Sequence, residues 1–447
     1  MRDLAVFCAV LVWLPLSFAN PFIGYLIWAW SGVIALNTYV YGFMVSAQLN
    51  MLFALVAIGM IGLGFDKRKL PFELNRTAIL MLLFAVQATF SASFAYEGLP
   101  RNWLMYTDLL KIFLFCLLMP MVVNGRFRIH ALVLTLGMGL SFHGMLDGLK
   151  LLASAGGHLA RGNPKFGDNN HFAVAMAVVI PILLYLYQSS SRVWIRFGFL
   201  AVALLGALSI IATHSRGGLL CLFAIALTIV TRSRRKVAGL IAIVLAAIAI
   251  VAVAPESWSE RMNTMTEAAT DGSFMGRVMA WKRGSAIALE HPLLGGGFFA
   301  VQANSIYWKF AYKQGLLGLV QTPPPDGIAL AAHSIYFQVM SDVGFLGFFI
   351  YLATLGAAFL AAAEIRRAAR QGGARFEWAS DLADALSASL IAFMVGGALV
   401  SLAYLEVIFM ICMLLEVIKR QIRIDLASPE SAAEIAAGKP VAKQQAI

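Results

Sequence analysis

Long apolar runs separated by short polar segments make up most of this chain. Two examples, Phe197–Thr213 and Val237–Ala254, approach the ~20 residues that an α-helix needs to cross the hydrocarbon layer of a membrane. A backbone inside lipid must satisfy its own hydrogen bonds, so each run is predicted to be helical. The pattern predicts an all-α, polytopic integral membrane protein. Its apolar spans lie at about 4–18, 21–37, 47–65, 77–96, 109–123, 129–152, 172–188, 197–213, 217–230, 237–254, 334–363 and 383–418.

The number of crossings follows from the lengths of the spans and the placement of charge. The last span, 383–418, is too long for one crossing and is interrupted by Gly396-Gly397 and by Glu406, so we expect two helices there. Residues 1–37 are expected to cross once, as a broken segment. We expect this segment to be retained, because no convincing small-residue cleavage site follows the first apolar run. The result is about twelve transmembrane helices with both termini in the cytoplasm.

Lys and Arg are distributed unequally between the two sides of the membrane. Of the 34 Lys and Arg residues, 19 lie in six short segments next to the spans, and 11 lie in the longer segments of the other side. This is the positive-inside asymmetry, which places the basic segments in the cytoplasm. The net charge of +11 therefore indicates topology and contact with anionic membrane lipids, not nucleic acid. The basic segments are 66–76, 124–130, 189–196, 231–236, 364–375 and 419–423.

The spans divide the chain into four parts. Residues 1–254 are predicted to form about nine crossings, and 255–333 a large extracytoplasmic loop. Residues 334–426 form the C-terminal transmembrane helices, and 427–447 form a cytoplasmic tail whose composition is typical of disorder. All four cysteines lie in apolar runs without metal-ligand spacing, so neither a disulfide framework nor a zinc site is expected.

The extracytoplasmic loop carries the most distinctive polar pattern. An amphipathic helix is predicted from Ser273 to about Glu290. Spacings of four and three residues bring three of its residues near one face: Arg277, Trp281 and Gly284. A helix on the membrane surface could equally use its basic residues only to touch lipid phosphates, and these are Arg277, Lys282 and Arg283. The Gly295-Gly296-Gly297 run that follows predicts a helix stop and a flexible bend.

Two polar clusters lie on the same side of the membrane as this loop. His214-Ser215-Arg216-Gly217-Gly218 joins two spans, and its donors and glycines suit close approach to a phosphate. An Arg at a helix end can also simply extend to the lipid headgroups, so both interpretations stay open. The second cluster could equally be a solvated loop, and it consists of Arg161, Lys165, Asp168, Asn169, Asn170 and His171.

His333 stands at the start of the span 334–363, directly after a proline-rich turn. Near neutral pH, imidazole is the side chain best suited to general-base catalysis, although a lone His at a helix start is usually a polar interface residue. The sequence has no Asp-x-Asp pair in an extracytoplasmic loop, no HExxH, no GxSxG and no Walker lysine. No metal or cofactor is therefore predicted, and cationic side chains would have to stabilise any developing negative charge.

The ordered set of motifs resembles the O-antigen ligase and polymerase superfamily of bacterial inner membranes. The set consists of His214–Gly218, Glu260–Thr264, Met275–Arg277 with Trp281, His291–Phe298 and Ala332–Val339. More narrowly, the start Met1–Leu4 and the late run Glu377–Leu382 resemble the O-glycosylation ligases associated with exosortase systems. The resemblance spans nearly the whole chain.

This resemblance implies an enzyme that takes a glycan from undecaprenyl diphosphate at the periplasmic face. The glycan passes to an acceptor hydroxyl, usually on the lipid A core, without a metal. The family's functional residues correspond to Arg216, Arg277 and His333, with Arg261 and Arg283 as other candidates in the same loop. Two guanidiniums can bind the diphosphate and a neutral imidazole can accept the hydroxyl proton, which predicts inversion by a single displacement. Further candidate substrate contacts are His214, Ser215, Trp281, Arg283, Arg161, Lys165, Asn169 and His171.

Other functions remain compatible with the sequence. An O-antigen polymerase would use a second lipid-linked glycan as its acceptor, and an O-linked protein oligosaccharyltransferase would use a protein. A transporter of lipid-linked oligosaccharides could also have twelve crossings. We would expect such a transporter to carry more intramembrane charge, and it would not need so long an outer loop.

Overall fold

The structure, a computed structural model, describes residues 1–96, 99, 101–162, 165–232, 241 and 272–427. The predicted span 237–254 (apart from residue 241), residues 255–271 and the tail beyond 427 lie outside the described residues. Every regular element within the described ranges is helical. The principal helices are α1 (Arg2–Ala19), α2 (Pro21–Ile34), α3 (Leu49–Gly62), α4 (Arg76–Ser93), α5 (Asn102–Val122), α6 (Gly125–Ala153), α7 (Asn169–Ser189), α8 (Val193–Ala212), α9 (Arg216–Arg232), α10 (Gly272–Glu290), α11 (Ile335–Gly372), α12 (Glu377–Gly397) and α13 (Glu406–Leu426).

The described helices confirm the all-α membrane architecture. Seven stretches are long and apolar enough to cross a membrane, and one of them runs from Ile335 through α12 to Gly397. Helices α3 and α9 are apolar but shorter. The prediction of about twelve crossings stays a prediction. Helix α7 lies at the centre, packed against α6, α8, α9 and α12, and it is the most deeply buried of the candidate spans.

Two of the helix predictions are confirmed. The span 383–418 consists of two helices: α12 ends at Gly397, and α13 begins at Glu406. A helix, α10, is present where the loop helix was predicted, and it ends at Glu290. Its residues 282–288 are all buried, so its amphipathic character on a membrane surface stays a prediction.

The prediction that residues 1–37 make one broken crossing is wrong, because α1 and α2 fold back on each other. The side chain of Asn20 accepts the Phe22 N–H at 3.1 Å, and Pro21 starts α2, so the chain turns there. Trp13 in α1 packs edge-on against Trp30 in α2, with ring centroids 5.0 Å apart. The two helices therefore form a hairpin and return the chain to the level at which it began.

This hairpin also determines the end of the bundle at which the N-terminus lies. Asp3 accepts the backbone N–H groups of Gly42 and Met44, so the start of α1 lies near the end of α2. The end of α2 is bound by Lys165, which also pairs with Glu406 at the start of α13. Helix α13 then runs away from that level. Residue 2 and residue 426 therefore lie at opposite ends of the bundle. The cytoplasmic placement of both termini stays a prediction.

The bundle thus has two chemically different ends. We call one the site end, where α7, α9, α11 and α13 begin. The other is the basic end, where α13 finishes beside the loop 66–75 and the start of α6. At the basic end, Arg128 forms a bidentate ion pair with Asp66, at 2.7 and 2.9 Å, and Arg420 pairs with Glu73 at 2.9 Å.

Helix α11 contains a break that the sequence pattern does not predict. Gly344 has a non-helical backbone (φ 72°, ψ −176°), and the glycine run 295–297 docks against this break. The N–H groups of Gly296 and Gly297 donate to the carbonyls of Ser341 and Asp342 at 2.8 and 3.0 Å. A Cβ at Gly297 would lie 2.2 Å from the Cβ of Ala95. The expected flexible bend is therefore wrong: the glycines are needed for close packing that fastens the loop to the bundle.

Candidate functional site

The start of α7 forms the first wall of the candidate site. Asp168 caps this helix by accepting the N–H groups of Asn170 and His171 at 2.7 and 3.2 Å. Burial alone would raise the pKa of Asp168, but the neighbouring His171 and these backbone donors lower it. The His171 ring lies between two oxygens, with Nε2 3.1 Å from the carbonyl of Ser401 and Nδ1 3.4 Å from Asp168 Oδ1.

The α8–α9 turn, which carries Arg216, is joined directly to the start of α7. Asn169 donates to the carbonyl of Thr213 at 2.8 Å, and the Ser215 hydroxyl donates to Asn170 Oδ1 at 2.7 Å. Ser215 Oγ also accepts the Gly218 N–H at 3.2 Å and so caps α9. Arg216 is the first residue of α9, at the positive end of the helix dipole.

The glycines of this turn have a packing function. A Cβ at Gly218 would lie 2.7 Å from the Cβ of Ala173 and 2.8 Å from Ile210. Glycine therefore lets α9 approach α7 and α8 closely, which holds the Arg216 end of the helix in place. His214, just before the cap, has a left-handed backbone with φ 51°.

His333 lies opposite this wall, at the start of α11. Its backbone is also left-handed (φ 44°), an uncommon conformation for a residue with a Cβ. Its N–H donates to Ser401 Oγ at 2.7 Å. The rings of His333 and His171 are 6.5 Å apart. Among the described residues, Nδ1 of His333 is buried without a hydrogen-bond partner. Nε2 is therefore the ring nitrogen that can meet a substrate.

Helix α10 brings Arg277 to the same place. The Trp281 indole N–H donates to the carbonyl of Ala332 at 2.5 Å, and its ring stacks on Phe337 at 5.2 Å. Gly276 lies so close to Leu330 that a Cβ there would be 2.8 Å from the Leu330 side chain. Arg277, one turn before Trp281, is thereby held beside His333. Burial lowers the pKa of His333, and the positive charge of Arg277 lowers it further. His333 is therefore mainly neutral near pH 7.

Two family models match the chain. Residues 200–352 match the O-antigen ligase family, and this range contains Arg216, Arg277 and His333. Residues 1–191 match a family of unknown function, DUF5935. No curated protein matches the chain significantly. The domain at residues 200–352 supports the O-antigen ligase superfamily, whose members are glycosyltransferase-like ligases or polymerases. This domain and the apolar helices together point to a multi-pass inner-membrane protein. The narrower resemblance to exosortase-associated ligases stays a prediction.

Some of the residues predicted to touch substrate have structural partners in the protein. Lys165 donates to the carbonyls of Gly32 and Val33, both at 2.7 Å, and pairs with Glu406. Since an ammonium group has three N–H donors, these oxygens can occupy all of them. Ser215 is almost fully buried and acts as the cap of α9.

Arg283 is six residues after Arg277 and therefore lies on a different side of α10. It is buried, donates to the carbonyl of Leu330 at 3.3 Å and lies 4.7 Å over the ring of Tyr307. Its neighbour Lys282 is buried as well and donates to Gln314 at 2.6 Å and to Thr322 at 3.2 Å. Both cations bind groups of the loop and are buried, so the lipid-contact alternative does not fit them. The substrate role of Arg283 stays a prediction. Arg161 is exposed at the site end.

The structure adds one residue that the sequence did not single out. Ser401 lies in the turn between α12 and α13 and contacts both His333 and His171. In the sequence, the only feature that points to Ser401 is its position after Gly396-Gly397, at the predicted interruption of the last span. Gln338 of α11 binds the same turn, accepting the Ala403 N–H at 3.1 Å.

Proposed function

We propose that the protein transfers a glycan from undecaprenyl diphosphate to an acceptor hydroxyl of the lipid A core at the periplasmic face of the inner membrane. The acceptor oxygen attacks the anomeric carbon and forms the new glycosidic bond while the bond from that carbon to the phosphate oxygen breaks. The hydroxyl proton moves to Nε2 of His333, and undecaprenyl diphosphate leaves with the electron pair. One displacement at this carbon inverts its configuration.

The two guanidiniums are proposed to stabilise the leaving diphosphate. Arg216 stands at a helix start, where the backbone dipole also favours an anion. Arg277 stands on α10 beside His333. A guanidinium can donate two parallel hydrogen bonds to phosphate oxygens, and it keeps its charge at any physiological pH. This charge would do the work that a metal ion does in other transferases, so we propose a metal-independent reaction.

The observation that carries this proposal is a neutral imidazole beside a guanidinium. His333 has a pKa lowered by burial and by Arg277, and its Nδ1 is buried, which leaves Nε2 as the proposed base. A general base has to be unprotonated at the working pH, and a diphosphate binder has to be cationic. The pair meets both requirements within one site.

The test uses the full-length protein in nanodiscs with a radiolabelled lipid-linked glycan and lipid A-core. His333→Gln should lower kcat at least ~100-fold, since general-base catalysis contributes roughly 10²–10⁴-fold. His291→Gln is the matched control, because His291 is an exposed histidine of the same loop that lies outside the site. Normal transfer by His333→Gln would remove the imidazole from the mechanism.

The same assay separates the alternative acceptors. Label appearing on lipid A-core supports the ligase. Chain extension with the lipid-linked donor alone would indicate a polymerase, and label on protein would indicate an oligosaccharyltransferase.

A further inference from the structure

An apolar strip runs along the outer face of the loop between α10 and α11. It consists of Trp308, Tyr312, Leu316 and Leu319, all exposed, with Leu319 fully so. Trp308 and Tyr312 stack on each other with ring centroids 6.4 Å apart, at the N-terminal end of the segment that begins with the short helix Tyr307–Phe310. Large apolar side chains in such a row indicate a surface that something else covers.

The opposite face of this segment is fixed to the protein. Tyr307 and Phe310 are buried, and the Leu316 N–H donates to Ser285 Oγ of α10 at 3.0 Å. On its other side, α10 packs on α11, where a Cβ at Gly284 would contact Ser341 at 3.4 Å. Helix α10 therefore lies between the strip and a membrane-spanning helix, and the strip faces outward from the bundle.

The end of α10 reaches the level of the membrane-spanning helices. Gln87 of α4 donates to the carbonyl of Leu293, and the Phe345 N–H donates to Pro292 at 2.8 Å. Gln87 lies six residues before the end of α4, which is about 9 Å at 1.5 Å per residue. Leu293 is exposed there, as is Phe90 on α4. The apolar surface of the spanning helices thus continues onto the loop.

Two lysines in the segment that carries the strip form ion pairs with the end of α10. Glu290, in the last turn of α10, pairs with Lys309 at 2.7 Å and also with Lys313. Both lysines alternate with the strip residues, and Phe310 packs on Tyr96 just beyond α4. Trp, Tyr and Lys are the side chains favoured at the boundary between acyl chains and headgroups.

We propose that the strip Trp308–Leu319 is inserted into the headgroup–acyl boundary of the membrane on the site side, so that α10 and its loop are anchored in the lipid surface. A glycan-binding surface would combine aromatic rings with hydrogen-bonding groups. Leu316 and Leu319 have no side-chain hydrogen-bonding groups and therefore do not suit a glycan. Continuity with the lipid-facing surface at Leu293 favours lipid over a second protein copy. The proposal concerns membrane placement and does not depend on the catalytic roles above.

The experiment measures how deep a nitroxide attached to the strip lies. The full chain carries Cys8→Ser, because Cys8 is exposed and the other three cysteines are buried. Leu319→Cys and, separately, Leu316→Cys are labelled in nanodiscs of phosphatidylethanolamine and phosphatidylglycerol. A label at Val86→Cys on the exposed face of α4 serves as the lipid reference, and one at Arg161→Cys as the aqueous reference.

Power-saturation EPR then compares access of oxygen, which partitions into lipid, with access of a water-soluble nickel chelate. We expect labels at 316 and 319 to resemble the label at 86, with oxygen access exceeding nickel access. Nickel access as high as at residue 161 would overturn the proposal. So would dipolar broadening between labels, which would indicate a second copy on the strip, or protection from nickel that arises only when a soluble glycan is added.

Discussion

The backbone N–H of His333 donates to the hydroxyl of Ser401 at 2.7 Å. The carbonyl of the same serine accepts a hydrogen bond from His171 at 3.1 Å. One residue of the α12–α13 turn therefore fixes both histidines of the site. Holding a residue with a Cβ in a left-handed backbone costs about 1–3 kcal/mol, so His333 needs such an anchor to stay where it is.

Ser401→Ala should lower kcat about 10-fold and leave KM nearly unchanged. Loss of the hydroxyl removes one hydrogen bond worth about 1 kcal/mol and releases His333 from its position, while the phosphate-binding guanidiniums stay. Ser401→Thr keeps the hydroxyl and should restore most of the rate. Steady-state kinetics on lipid-linked glycan and lipid A-core check this. Equal losses in the Ala and Thr variants would mean that the turn has only a packing role.

The acid limb of the pH–rate profile should move when the charges around His333 change. His333 acts as a base only when deprotonated, so its rate falls as the pH drops through its pKa. Burial, Arg277 and His171 lower that pKa, whereas Asp168 raises it. His171→Gln should therefore move the limb to higher pH, toward 6.5, and Asp168→Asn should move it to lower pH. Shifts in the same direction for both variants would exclude this electrostatic coupling.

Trp281→Phe separates the two contacts of the indole. The variant keeps a ring to stack on Phe337 but lacks the N–H that binds the carbonyl of Ala332, directly before His333. We expect kcat to fall roughly 5- to 10-fold, equivalent to about 1 kcal/mol, with little change in thermal stability. Trp281→Ala should in addition destabilise the protein by roughly 3–5 kcal/mol, because it removes the ring. Thermal unfolding in detergent, measured beside the kinetics, distinguishes these effects.

Much of the helical framework follows from the apolar pattern alone. Helix α10 and the division into α12 and α13 were predictable, because periodicity and paired glycines act locally. The hairpin of α1 and α2 was not, since an Asn-Pro junction is compatible with a kink as well as a turn. Contacts between distant residues decide between them, such as that of Trp13 with Trp30. Positive-inside counting could not correct this, because the N-terminus carries almost no charge.

The residues of the site also differ in how far the sequence predicts them, because some roles depend on nearby residues and others on distant contacts. Arg216, Arg277 and His333 stand out as polar residues at helix starts or on an amphipathic face. Ser401 does not, because its importance depends on a contact across 68 residues of chain. Likewise, Lys165 looks like a phosphate ligand in sequence, and only the carbonyls at the end of α2 show how its donors are used. Composition identifies candidate donors but cannot say whether the protein already uses them.

Gly297→Ala should disrupt the docking of the loop onto α11. The added methyl would lie 2.2 Å from Ala95 Cβ, at a backbone φ of 88° that residues with a Cβ rarely adopt. We expect a loss of roughly 2–5 kcal/mol of stability from strain and overpacking together. Gly356→Ala is the control, since a Cβ there meets nothing within 4 Å in the middle of α11. Its stability should be unchanged or slightly higher. Equal melting temperatures for the two variants would contradict the packing role.

Lys165→Met should destabilise the site end by roughly 3 kcal/mol. Removing the ammonium leaves the carboxylate of Glu406, only 19% exposed, and two helix-end carbonyls without their donor. Combining Lys165→Met with Glu406→Gln removes the unpaired charge and should recover part of the lost stability. The remaining loss would then be assigned to the carbonyls of Gly32 and Val33. Lys150→Met is the matched control, because Lys150 pairs with Asp147 but is itself 60% exposed, and it should cost less than about 1 kcal/mol. If Lys165→Met instead melts normally but loses transfer, Lys165 contacts substrate after all and its structural assignment is wrong.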